Sequence, residues 1–122
     1  MRTIIRAELV LAATGLALLV GSPRAAAQDF NGYDQIKHGD YTAAEREILA
    51  ELRTFPGDTD LLINLAAVYM HQGRTGEARA LYSRVMARPN DALDMPDGAT
   101  VWSHDAAQAG LARISAMQLS AR

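Results

Sequence analysis

The residues best suited to chemistry in this sequence are three histidines at regular intervals. His38, His71 and His104 lie 33 residues apart, and imidazole nitrogens are common zinc ligands. Metal ligands must converge on one point, whereas spacings of this length are typical of repeated structural units, which carry equivalent residues one unit apart. The spacing therefore argues against a shared metal site, and we expect no bound metal.

Two further clusters contain the residue types of calcium sites and hydrolases. Asp91, Asp94 and Asp97 supply carboxylates, but their spacing of three differs from the alternating ligands of a calcium-binding loop. In the segment Ser103–Asp105, adjacent residues on a helix would point in different directions and could not form the relay of a Ser-His-Asp triad. The sequence also contains no phosphate-binding loop or dinucleotide fingerprint. We predict that the protein is not an enzyme and has no cofactor or small-molecule substrate.

The N-terminus has the pattern of a secretory signal peptide covering residues 1–27. Arg2 and Arg6 precede the uncharged run Leu9–Gly21, and the segment Ala25–Ala27 offers small residues for cleavage before Gln28. The alternative is an uncleaved membrane anchor, but the run of 13 residues is shorter than the roughly 20 that a spanning helix needs. We expect export to the bacterial periplasm or outside the cell, with membrane contact only through this segment before cleavage.

Composition limits the rest of the chain to one domain held together by packing. Residues 28–122 contain nine basic and thirteen acidic side chains, which gives a net charge of about −4. This balance argues against nucleic-acid binding, which needs clustered Lys and Arg. Because the chain has no cysteine, a disulfide framework and a lipid-anchored lipoprotein are both excluded.

Apolar residues recur at helical spacing in five segments separated by turn residues. The first predicted helix is short and contains Gly32, and the connection before the last helix is long for a helix–helix loop. The predicted elements are helices over 29–38, 42–54, about 59–71 and 75–88, a loop over 90–99, and a final helix over 100–119.

A glycine and an alanine at fixed spacing occur twice in this helical region. Gly39 and Ala44 recur as Gly73 and Ala78, 34 residues further on, a period typical of stacked helix-turn-helix units. Glycine takes turn geometry that other residues avoid, and alanine allows two helices to approach closely. Both positions are therefore interpreted as structural.

These segments resemble the tetratricopeptide repeat. The family's pattern is matched by Gly39, Tyr41, Ala44, Ile48 and Pro56 in the segment KHGDYTAAEREILAELRTFP, and by Gly73, Ala78 and Tyr82 in the second copy. The resemblance implies an all-α fold, a short α-solenoid with repeat 1 at about 28–57, repeat 2 at about 58–90 and a capping helix at 100–119. A degenerate third repeat and a five-helix bundle of no named family are the alternatives.

Trp102, the only tryptophan, falls near the start of the predicted capping helix. We expect its indole to be buried where that helix covers the second repeat, since a large aromatic side chain there would seal the open end of the solenoid. The alternative is an exposed anchor for a partner.

The resemblance also implies a binding face. In similar proteins the first helices of the repeats line a concave groove that holds a partner's peptide or helix, and the partner of this chain is unknown. Asn64 matches one asparagine of the subgroup that grips acidic tails, whereas Asp29 and Tyr33 replace its lysine and second asparagine. The predicted groove residues are Tyr33, Ile36, Lys37, Asp60, Ile63, Asn64, Ala67, Met70 and His71.

Two functions are compatible with this face. The first is a protein–protein interaction adaptor that binds a partner segment in the groove. The alternative is a structural subunit of a cell-envelope complex, or a self-associating module, that uses the ends of the solenoid and the capping helix.

Overall fold

The computed structural model describes residues 32–95 and 98–121 of the chain. The helices are α1 (Tyr33–Lys37), α2 (Tyr41–Thr54), α3 (Thr59–His71), α4 (Thr75–Met86) and α5 (Ser103–Ser120). Two short strands, β1 (Ala92–Asp94) and β2 (Thr100–Trp102), lie between α4 and α5. The predicted signal peptide and its cleavage position lie outside the described residues. Within the described part of the chain, no helix has the length and apolarity needed to cross a bilayer.

The repeat seen in the sequence recurs in backbone geometry. Gly39 and Gly73 both have left-handed φ angles, 78° and 76°. In both turns, the N–H after the glycine donates to the carbonyl five residues earlier, from Asp40 to Gln35 and from Arg74 to Tyr69, each at 2.8 Å. These bonds satisfy carbonyls at the end of one helix while the chain reverses into the next. The two turns are therefore equivalent, as the 34-residue period predicts.

The close approach expected at the two alanines is also observed. Ala44 on α2 and Ala78 on α4 are fully buried, so neither site has room for a larger side chain. Gly32 is a third close approach, because a Cβ atom there would lie 2.7 Å from the Ile48 side chain. The predicted helix over 29–38 would have placed Gly32 inside a helix. In the structure α1 begins at Tyr33, so Gly32 precedes the helix.

The core is centred on α3, which packs against α2 on one side and α4 on the other. Almost every residue of α3 is buried, including Leu61, Leu62 and Val68. Each such side chain contributes about 1.5–3 kcal/mol when it leaves water. α5 packs mainly on α4 and also contacts α3, which is the position expected of a helix that covers the open end of the second repeat.

The segment between α4 and α5 differs from the sequence prediction of a loop over 90–99. β1 and β2 form an antiparallel hairpin in which Leu93 pairs with Val101. Thr100, Val101 and Trp102 are β-branched or aromatic and favour strands, so the final helix begins at Ser103 rather than at Thr100. The described part of the chain is consequently helical with one small hairpin.

The position of Trp102 corrects the prediction that this residue is buried. Its side chain is 47% exposed, because alternate residues of a strand face opposite sides. Leu93 and Val101 turn inward, while Trp102 and Thr100 turn outward. The seal of the second repeat comes from Leu93 and α5 instead.

Candidate functional site

The predicted groove residues divide into an accessible set and a buried set. Lys37 and His71 are exposed, and Ile36, Ala67 and Met70 are half-buried. Tyr33, Asp60, Ile63 and Asn64 are buried, with Asn64 only 1% exposed. A partner could reach the first set directly, whereas the second set supports the surface from beneath.

The hairpin is the reason that part of the predicted face is buried. Its apolar side chains lie over the middle of α3 and line, together with α3, a small partly open cavity of about 170 Å³. The residues lining the cavity are Ile63, Asn64, Ala67, Leu93, Met95, Val101 and Ala106. Sequence reasoning missed this cover because it treated residues 90–99 as a loop. The apolar pair Leu93 and Val101, on either side of a turn, was the only trace of the hairpin in the sequence, and strands of three residues are too short for it to predict them.

Hydrogen bonds at the base of the hairpin fix it to both neighbouring helices. The Thr59 hydroxyl donates to a carboxylate oxygen of Asp91 at 2.8 Å, and the Ser103 N–H donates to the Asp91 carbonyl at 2.8 Å. The amide oxygen of Asn90 accepts from the His104 N–H at 2.9 Å. The side chain of Trp102, the residue before α5, makes no capping hydrogen bond, so Asn90 caps the start of this helix instead. The hairpin is thereby anchored to α3 and α5.

The three histidines have separate local partners. His38 Nδ1 lies 2.8 Å from the Asp34 carbonyl oxygen, and His104 Nε2 lies 2.8 Å from the Arg88 carbonyl oxygen. The ring of His71 stacks on Tyr41 at 4.6 Å between centroids. Among residues 32–95 and 98–121, no group of three or more His, Asp or Glu side chains is placed to hold a metal ion. Asp97 of the acidic cluster lies outside those residues.

The residues Ser103 and His104 are engaged in structural bonds at the start of α5. The Ser103 hydroxyl accepts from the Asp91 N–H at 2.9 Å and lies 3.3 Å from the Asn90 amide oxygen. The His104 ring is directed to the backbone of Arg88. This pair does not form a nucleophile and base.

A second concave surface lies between α2 and α4, with α3 as its floor, and we call it the α2–α4 groove. Its volume is about 540 Å³. It is lined by Leu49, Leu52, Arg53, Pro56, Leu65, Tyr69, Glu77, Ala80, Leu81 and Arg84. None of these residues belongs to the predicted groove. Leu49 is one of the apolar side chains on this surface, and it is 39% exposed.

A polar network closes one end of the α2–α4 groove. Arg74 donates to Glu77 at 2.7 Å and to Glu45 at 2.9 Å, and its guanidinium lies over the Tyr69 ring. The hydrogen bonds from Arg74 lower the pKa of Glu77. Burial, together with the nearby Glu45 carboxylate, raises the pKa of the Tyr69 hydroxyl, which donates to Glu45 at 3.2 Å. The network joins α2, α3 and α4, so it holds the walls of the groove at fixed positions.

Comparison with known proteins gives one match. A family model described as Tetratricopeptide repeat matches residues 35–101, a range that begins in α1 and ends in β2. No curated protein and no solved structure matches the chain. The matched range covers most of the first helix-turn-helix unit, all of the second and most of the hairpin that follows.

Proposed function

Because the chain belongs to the tetratricopeptide repeat family, we propose that it is an exported adaptor that binds a segment of a partner protein on α1 and α3. Repeats of this family commonly mediate protein–protein interaction and are typically non-catalytic. The proposal takes its class of function from the family, and its surface from the residues that α1 and α3 leave accessible.

The observation that carries the choice of surface is the half-buried state of Ile36 and Met70. Both side chains pack against the core on one side and leave the other side in solvent. The flexible thioether chain of Met70 can adapt to differently shaped partners. Lys37 and His71 are exposed at the ends of the same two helices and supply polar contacts at the rim. This accessible set replaces the full predicted groove as the proposed contact surface.

Recovery of a cross-linked partner tests this surface. We expect Met70→Glu to weaken binding about tenfold, which corresponds to about 1.4 kcal/mol of binding free energy, and so to lower the amount of partner recovered from envelope extracts. Met86→Glu is the matched control, since Met86 is also half-buried but lies on α4, away from the proposed surface. Equal recovery with wild type and Met70→Glu, when both are folded by circular dichroism, would contradict the proposal.

Export is proposed from the N-terminal pattern and has its own test. N-terminal sequencing of the protein isolated from the cell envelope or the medium is expected to begin at Gln28. A protein that retains residues 1–27 in the membrane fraction would support the uncleaved anchor instead. Retention of the whole chain in the cytoplasm would remove export from the proposal.

A second candidate function, self-association through α5, is favoured by two exposed apolar side chains. Met117 and Leu119 are 45% and 66% exposed near the end of that helix. Light scattering over a range of concentrations distinguishes the two functions, because a molecular mass that stays monomeric excludes self-assembly. A mass that rises with concentration and returns to monomer in Leu119→Glu would favour the second candidate.

A further inference from the structure

We propose that the α2–α4 groove is a second protein-binding site, which takes a short amphipathic segment carrying acidic side chains. This site lies apart from the surface proposed above and uses none of its residues. The inference is carried by the shape of the groove, its apolar lining and the charges at its two ends.

The shape of the groove is suited to a ligand. Its volume of about 540 Å³ lies within the roughly 300–1,000 Å³ typical of binding pockets. α2 and α4 form its walls, and Leu65 and Tyr69 of α3 form its floor. The Arg74 network fixes α2 and α4 relative to each other, so the groove is formed before any partner arrives.

The lining of the groove is mainly apolar. Leu49 and Leu52 contribute from α2, while Ala80 and Leu81 contribute from α4. Leu49 is one of the few large apolar side chains of the described residues that stay exposed. Covering such a surface with apolar side chains removes it from water and so favours binding. A partner therefore needs apolar side chains along one face.

The ends of the groove differ in charge. At one end, Arg53 and Arg84 lie near the C-terminal ends of α2 and α4, and Arg84 donates to the Pro56 carbonyl at 3.3 Å. Within residues 32–95 and 98–121, neither guanidinium is paired with a carboxylate. At the other end, Glu77 is already paired with Arg74. The unpaired charge beside the groove is positive, and acidic side chains complement it.

Two other occupants fit the groove less well. The exposed apolar side chains near the end of α5 are accompanied by Arg113 and by no acidic residue after Asp105, so a second copy of that helix would bring like charge to the arginines. An acyl chain with its carboxylate at the arginines would place its methyl end against the charged Arg74 network, and taking charged groups out of water is costly even when they are paired. A peptide has backbone groups that can pair with that network.

Selection from a library of random peptides, with the full chain as the target, tests the site. Peptides of about 12 residues are long enough to span roughly 18 Å as a helix. The selected peptides are expected to combine leucine-like and acidic residues. Fluorescence anisotropy with the synthetic peptides is expected to show binding about tenfold weaker for Ala80→Glu, which fills the groove, and several-fold weaker for Arg53→Gln and Arg84→Gln. Higher salt is expected to weaken binding to wild type.

Ala50→Glu is the matched control for Ala80→Glu, because Ala50 is also an exposed helical alanine but does not line the groove. Selected peptides that are basic, that bind Ala80→Glu as tightly as wild type, or that fail to bind in solution would overturn the proposal. If Met70→Glu abolishes peptide binding and Ala80→Glu does not, the peptides bind the surface on α1 and α3. That outcome rejects the α2–α4 groove as a second site and leaves the proposed function standing. Saturable binding of dodecanoate without peptide binding, or self-association removed by Ala80→Glu, would also overturn it.

Discussion

At Gly110, helix α5 has no side chain where the Tyr82 ring lies against its backbone. A Cβ atom at this position would overlap the aromatic carbons of Tyr82, which is buried on α4. Burial also raises the pKa of the Tyr82 hydroxyl, consistent with a phenol held away from water. The absent side chain at Gly110 therefore sets the distance between α4 and α5.

Gly110→Ala is expected to destabilise the protein although alanine is the better helix former. Replacing a helical glycine by alanine normally stabilises by about 1 kcal/mol, but overpacking against Tyr82 costs about 1–3 kcal/mol. Gly76→Ala is the control, since Gly76 is helical and a Cβ atom there would meet nothing within 4 Å, and we expect it to stabilise. Urea denaturation measures both, and a gain of stability in Gly110→Ala would contradict this packing.

Arg74 gives a prediction about pH. Its hydrogen bonds lower the pKa of Glu77 in the folded protein below the ordinary value of 4.5. The stabilisation from this pairing is present above the unfolded pKa and is lost as pH falls through the folded pKa. Arg74→Met should therefore melt at a lower temperature than wild type at pH 7, and the difference should shrink below about pH 4. A difference that grows on acidification would contradict this origin.

At the scale of elements, the helices follow from the sequence and the hairpin does not. The turns at Gly39 and Gly73 could be predicted because each glycine adopts an angle that other residues avoid. The strands could not, because three-residue segments carry too little periodicity to distinguish them from a loop. Their pairing depends on burial of Leu93 against α3, a contact distant in sequence. The same contact buries Ile63 and Asn64, which the sequence places on an open groove.

The exposed side of the hairpin can be checked through Trp102. Because this is the only tryptophan, intrinsic fluorescence reports on β2 alone. We expect emission at the wavelengths of a water-exposed indole and efficient quenching by iodide. Trp102→Ser should change the free energy of unfolding by no more than about 0.5 kcal/mol, as is usual for exposed sites. Blue-shifted emission from the native protein, together with a large loss of stability in Trp102→Ser, would show that the indole is buried.

At the scale of the whole molecule, two repeats are fewer than the three or more that usually form a stable array. α5 supplies the missing interface, since Ala107 and Ile114 are fully buried and the helix contacts both α4 and α3. The sequence predicted which positions of α1 and α3 belong to the candidate groove, but not which of those side chains are exposed. The α2–α4 groove was not predictable, because it depends on how far apart two helices pack.

Removal of residues 103–122 is expected to abolish cooperative unfolding of the isolated protein. The truncation exposes the buried ring of Tyr82 on α4, which lies against Gly110, and takes away the partner of Asn90. Removal of residues 119–122 is the control, because Leu119 and Ser120 are exposed. Circular dichroism during thermal melting measures the effect. A sharp transition in the longer truncation would show that the two repeats are stable alone.

The hydrogen bonds at the base of the hairpin hold the two ends of this segment together, whatever the number of residues between them. Asp91 and Ser103 are joined to each other by backbone and side chain, and Asn90 holds the start of α5 directly. Because the bonds that position α5 lie at this base, extra residues in the connection between β1 and β2 are expected to leave the last helix in place, and a tag inserted in that connection is expected to be tolerated.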